Sequence, residues 1–308
     1  MIGRIACITE RQIGPRRPAE FARAARRPGP RGFTLVELLV SITVILTLAS
    51  IALVAVNATR QEARIARTKA TIAKLDHLIQ ARYESYRTRR VPVNLAGLGG
   101  RQSAEVRYRA LLYTMRMDMP ERINDIKTDA NFNTPISLPY GRTLSWSALA
   151  RQYGLRFSSK PATADYQHGE MLYAVVTSDP ENRELFQDDE VRDVDDDGWP
   201  EFVDGWGTPI YWLRWAPGFT IEAGLSDIQS ADPVAAHDPF DSHRVQADAY
   251  HLIPLIYSAG PDKKYGVNVG NNVQFNGNAF ADLSIGGIDA SEGNAIYDNI
   301  HNHHIEQR

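Results

Sequence analysis

Cysteine occurs once in the 308 residues, at Cys7. No disulfide can form within one chain, so the small disulfide-stapled folds are excluded and stability must come from a packed core. The sequence also lacks a nucleophile elbow, a phosphate-binding Gly-rich loop and a paired-carboxylate signature in a recognisable context. No catalytic site is therefore expected, and the chain reads as a non-enzyme. Beyond the first 32 residues acidic side chains outnumber basic ones. That stretch holds eight Arg and two Glu, a net charge of +6, and removing it from the overall −3 leaves −9 on the remainder. An acidic body of this kind excludes a broad nucleic-acid footprint, and no nucleic-acid partner is expected. Its remaining basic cluster lies at about 60–90.

What is present begins with an apolar run from Phe33 to Val56 that no Pro interrupts. At 1.5 Å per residue a helix of this length spans roughly 36 Å, enough to cross a hydrocarbon core of about 30 Å. Its uncharged polar residues are Thr34, Ser41, Thr43, Thr47 and Ser50, whose hydroxyls can bond the preceding turn or a neighbouring helix. One carboxylate, Glu37, sits near its start. A charge at that depth is costly and requires a partner. Basic residues ahead of the run stay on the cytoplasmic side, which places the acidic remainder across the membrane.

The segment Arg31-Gly32-Phe33-Thr34-Leu35-Val36-Glu37-Leu38-Leu39-Val40 resembles the type IV prepilin leader and cleavage motif, shared by pilins and the pseudopilins of type II secretion. An ordinary signal peptide is instead cut after its apolar region at a small-residue site. The resemblance implies that a membrane aspartyl peptidase cuts after Gly32 and methylates the new amine of Phe33. Glu37, then fifth in the chain, would pair with the Phe33 amine of a neighbouring subunit and set register in the filament. No Met lies between Met1 and Met115, so a leader shorter than residues 1–32 needs another initiation codon.

Beyond Asn57 the pattern becomes amphipathic. Ile65, Ile72, Leu75, Ile79 and Tyr83 recur at helical spacing, widened by Leu78 and Tyr86, and one continuous helix is expected from about Phe33 to Arg89. Pro92, Gly97, Gly99 and Gly100 end it. Helices are expected over 103–119, 146–153 and 165–177, as an insert of about 101–178, with 128–145 turn-rich. Strands are expected at 209–215, 220–223 and 250–258. From Gly260 to about Asn294 a Gly- and Asn-rich stretch reads as a surface loop.

Asp193-Val194-Asp195-Asp196-Asp197-Gly198-Trp199-Pro200-Glu201-Phe202-Val203-Asp204 has the spacing of an EF-hand-like loop. Asp193, Asp195 and Asp197 fall at the first, third and fifth places, with Gly at the sixth. Trp199 offers its carbonyl, and Glu201 and Asp204 fall at the ninth and twelfth. An Asp in the last place resembles dockerin-type loops. The pattern points to Ca2+; a solvated acidic turn is the competing reading. No helix is expected to follow, because Gly205, Gly207 and Pro209 do. Asp204-Gly205-Trp206-Gly207-Thr208-Pro209 and Ser258-Ala259-Gly260-Pro261-Asp262 resemble elements of the major pseudopilins of type II secretion. There the second element opens a Ca2+-binding loop, so the resemblance implies Asp262 and Asp298 as weaker ligand candidates, although Lys263 replaces the usual Gly. His301, His303 and His304 invite a transition-metal reading, but no Cys and no acidic partner at a ligand spacing supports it. An exposed tail is expected.

The expectation is thus an α+β, pilin-like fold. It has a leader (1–32), a membrane and assembly helix (33–56) and a periplasmic globular domain (57–308) with its sheet and Ca2+ loop at about 190–308. The expected partners are further copies of the chain, a prepilin peptidase, an inner-membrane assembly platform and, before assembly, membrane lipid. The expected location is the inner membrane, single-pass, with the globular domain in the periplasm or in an extracellular filament. A membrane-anchored enzyme or binding protein carrying the same leader is the alternative.

Overall fold

A computed structural model describes residues 32–126, 132, 134–158, 165–270 and 275–304. Residues 1–31 of the leader, Cys7 among them, lie outside the described residues. The chain divides into two units, one up to Ala55 and one from Val56 onward.

Helix α1 spans Leu35–Ser85. It is long and apolar enough near its start to cross a membrane. Every residue from Gly32 to Arg60 is exposed, as a segment needing an apolar surrounding must be. Its hydroxyls bond back into the helix as expected: Ser41 Oγ to the Glu37 carbonyl at 2.7 Å, Thr43 to Val40 and Thr47 to Val44 at 2.8 Å each.

From Val56 onward one face of α1 is buried: Thr68, Thr71, Ile72, Leu75, Ile79 and Tyr83. This is the apolar stripe of the sequence from Ile72 onward, joined by two Thr, while Ile65 and Leu78 are only half-buried. It packs into one core with Met171, Leu172, Phe202, Ile210, Trp212 and Ile256. The basic face of α1 holds the domain from outside. Lys74 pairs with Glu190 at 2.7 Å. Arg82 donates to the Asp118 and Val175 carbonyls at 2.9 and 2.8 Å.

The insert contains α2 (Gly100–Asp118), α3 (Ala148–Arg156) and α4 (Gln167–Val176), followed by a short α5 (Pro180–Arg183). A hairpin, β1 (Ile136–Leu138) and β2 (Arg142–Leu144), lies where only turns were expected. The turn Pro139-Tyr140-Gly141 closes it, with Tyr140 and Gly141 at positive φ.

The strands form three small antiparallel sheets among the described residues. β3 (Val191–Arg192) pairs with β4 (Glu201–Phe202). β6 (Leu255–Ser258) lies between β5 (Tyr211–Leu213) and β7 (Ile300–His301). The architecture is the expected α+β type. Three further details differ from expectation. Residues 220–223 form a turn instead of a strand: Thr220 Oγ accepts from Ala223 N at 3.2 Å, and the Leu225 and Ser226 amides return to the Thr220 carbonyl. The stretch after Gly260 is no mere surface loop, because Val267, Ala279, Phe280 and Ile285 from it are buried. The final His residues are not an exposed tail, because β7 carries His301 into the fold, His303 is 1% exposed and His304 is half-buried.

Candidate functional site

Gly32 and Phe33 precede α1. Thr34 takes the capping position. Its hydroxyl accepts from Glu37 N at 3.2 Å, and the Glu37 carboxylate accepts from Thr34 N and Thr34 Oγ1 at 3.0 Å each. This reciprocal arrangement satisfies donors that a helix start leaves open. Within one subunit, Glu37 therefore has a hydrogen-bond partner of its own. Its exposure in the described chain leaves it accessible to a group from another copy.

Residues 193–200 of the 193–204 segment are the turn of the β3–β4 hairpin, with Glu201 and Phe202 in β4 itself, and not a loop between two helices. Asp196 and Gly198 take positive φ and fold it back. Asp193 accepts from the Asp197 and Gly198 amides at 3.1 and 2.7 Å, and Asp197 accepts from Trp199 N at 3.0 Å. One carboxylate oxygen from each of Asp193, Asp195 and Asp197 comes within 4.8 Å of the others. A second group shares Asp195. It joins Glu201 to Glu170 of α4, again with all three oxygens within 4.8 Å. Glu170 and Glu201 are 1% and 0% exposed. Glu170 was not visible in the sequence as a candidate. It precedes the loop by more than 20 residues, and only the packing of α4 on β4 brings it there. Trp199 stacks on Phe157, with ring centroids 4.5 Å apart.

Asp204 is engaged elsewhere. Its Oδ1 accepts from the Trp206 and Thr208 amides at 2.8 and 2.9 Å, and its Oδ2 accepts from Ser258 Oγ at 2.6 Å. It organises the Asp204–Pro209 turn, which lies on α1. Gly205 N donates to Thr68 Oγ1 at 2.9 Å, and Trp206 Nε1 donates to Gln61 Oε1 at 3.3 Å. A Cβ on Gly205 would meet the Arg64 carbonyl at 2.6 Å, so only glycine permits this approach.

Asp262 and Asp298 do come together. Burial, and then the charge of Asp262, push the Asp298 carboxyl above its ordinary value. Asp262 also accepts from Lys264 N at 2.8 Å.

Residues 27–53 match the family model for the prokaryotic N-terminal methylation motif. No curated protein and no solved structure matches the chain. The match covers Arg27 and Arg31, the Gly32–Phe33 junction and most of the apolar run. The chain thus carries a prepilin-type N-terminal methylation motif.

Proposed function

We propose that this chain is a structural subunit of a type IV pilin-like filament, and specifically of a type II secretion pseudopilus. The single observation that carries the filament reading is the methylation motif at 27–53, set at the head of a helix whose first part is apolar and exposed. In this reading the helix holds the subunit in the inner membrane and the domain from Val56 onward lies in the periplasm. A prepilin peptidase frees the Phe33 amine. An assembly platform then extracts the subunit into a filament. Glu37 pairs there with the Phe33 amine of a neighbour, because an unpaired carboxylate in a water-excluded core costs several kcal/mol. Out-of-register packing leaves that charge alone.

The preference for a secretion pseudopilus rests on the Asp204–Pro209 turn and the Ser258–Asp262 element, which the Asp204–Ser258 hydrogen bond joins. The reading includes Ca2+ at the 193–201 turn. Its support is the convergence of Asp193, Asp195 and Asp197, with Glu170 and Glu201 adjoining, since a hard cation favours clustered carboxylate oxygens. Asp262 with Asp298 is a second candidate place for the same ion. The role is structural and not enzymatic.

Mass spectrometry of the protein from membranes containing prepilin peptidase tests the proposal. The expected amino terminus is N-methylated Phe33. An intact Met1, or a cut elsewhere, overturns it. Deleting the gene then separates the systems. Lost export of secreted enzymes supports the pseudopilus, whereas lost surface filaments with normal export refute it in favour of a pilus.

A further inference from the structure

The C-terminal histidines have a function-bearing geometry that the filament reading does not use. β7 pairs with β6 and sets His301 at 8% exposure. Its imidazole lies 4.4 Å, centroid to centroid, from that of His304. His304 Nδ1 is in direct contact with the Asp227 carboxylate, 77 residues earlier in the chain. His301 Nδ1 is buried and has no hydrogen-bond partner among the described residues. Both imidazoles and Asp227 line one cavity of about 570 Å³. His303 takes no part. Its Nδ1 contacts Ser226 Oγ at 2.8 Å, and its ring stands edge-on to Phe219.

Three features agree. Two imidazoles on one metal ion, at nitrogen distances of about 2.0–2.1 Å, place their centroids about 5 Å apart. The observed separation is within a small side-chain adjustment of that. A ligating histidine characteristically gives its other N–H to a carboxylate, which fixes tautomer and ring orientation. Asp227 does this for His304, directing the Nε2 lone pair away from itself. The cavity leaves room for the waters that would complete the coordination.

We propose that His301 and His304, with Asp227 as the positioning residue, bind a divalent transition-metal ion of the Zn2+ class. Imidazole nitrogen selects such ions over Ca2+, which takes oxygen. The bound ion bridges His301 to His304, which Asp227 holds in place, and stabilises the fold by mass action.

The test is titration of the metal-free full chain, in detergent micelles, with Zn2+, and separately electron paramagnetic resonance with one equivalent of Cu2+. The wild type is expected to bind one Zn2+ at this site and to show two nitrogen donors to Cu2+. His304→Ala, at a half-exposed position, should abolish that binding while leaving the far-ultraviolet spectrum unchanged. Asp227→Asn should weaken it about 10–100-fold. His301→Asn, if folded, should remove one nitrogen from the Cu2+ spectrum. Exposed His243→Ala should change nothing. Absence of Zn2+ binding overturns the proposal. So does binding, or a two-nitrogen spectrum, that survives His304→Ala.

Discussion

Ser258 Oγ donates to Asp204 Oδ2 at 2.6 Å across 54 residues of sequence. Ser258 ends β6, and Asp204 opens the turn that lies on α1, so this one bond ties sheet, turn and helix together. Both residues are buried, and burial pushes the Asp204 carboxyl up despite its donors. Ser258→Ala leaves a buried carboxylate oxygen short of a donor, which costs about 1–3 kcal/mol. Chemical denaturation should report a loss of that size. A loss under about 0.5 kcal/mol would mean the bond contributes nothing beyond what water supplies.

Glu37→Gln separates the two roles of that side chain. The amide oxygen still accepts from Thr34 N–H, so the helix start is preserved. The charge that would meet a neighbour's amine is gone. Cleavage after Gly32 should proceed in Glu37→Gln and Glu37→Ala alike, and neither should yield filaments by electron microscopy. Normal filaments from Glu37→Gln would show that capping, not charge pairing, is what assembly requires.

Calcium should raise the melting temperature of the chain relative to chelator, because an ion bound only by the folded state adds to its stability. Glu170→Gln should diminish the shift if the buried group takes part, and Asp195→Ala, which belongs to both groups, should diminish it more. An identical melting temperature with Ca2+ and with chelator leaves an acidic turn stabilised by its own amide contacts.

His168 predicts a pH dependence. Burial holds its imidazole neutral, lowering its pKa from 6.5 to about 4, and the nearby Arg122 pushes the same way. In the unfolded chain it would protonate near 6.5. The unfolded state therefore binds more protons between these values, and stability falls as pH drops from about 6.5 to 4. The loss from this residue is at most about 3 kcal/mol. In His168→Gln the decline over that window should flatten. Asp238 acts oppositely. Burial raises its carboxyl to about 6, so the folded state takes up a proton first and gains stability as pH falls toward 4. Asp238→Asn should steepen the acid decline. An unchanged pH profile in both variants would refute these assignments.

Much of the fold was legible because periodicity reports burial directly. The stripe from Ile72 to Tyr83 and the α2, α3 and α4 segments follow from apolar spacing that one helix face must satisfy. The β1–β2 hairpin was not legible: its strands are three residues each, and a Tyr at positive φ closes the turn. The turn at 220–223 carries β-prone residues, yet the Thr220 hydroxyl and carbonyl collect the amides that a strand would need. The Gly- and Asn-rich stretch after Gly260 is polar on average, which concealed Phe280 and Ile285 as core.

The sequence by itself determined the processing signal. Gly32, Phe33, Glu37 and the apolar run act through local order and composition, which a one-dimensional pattern carries in full. It also determined the amphipathic continuation of α1. Only the tertiary structure decided which distant groups meet. Glu170 with Asp195 and Glu201, Ser258 with Asp204, and Asp227 with His304 are pairings across 25 to 77 residues. Chain closure over such distances is set by how α4, β4, β6 and β7 pack around one core, and no local spacing encodes it.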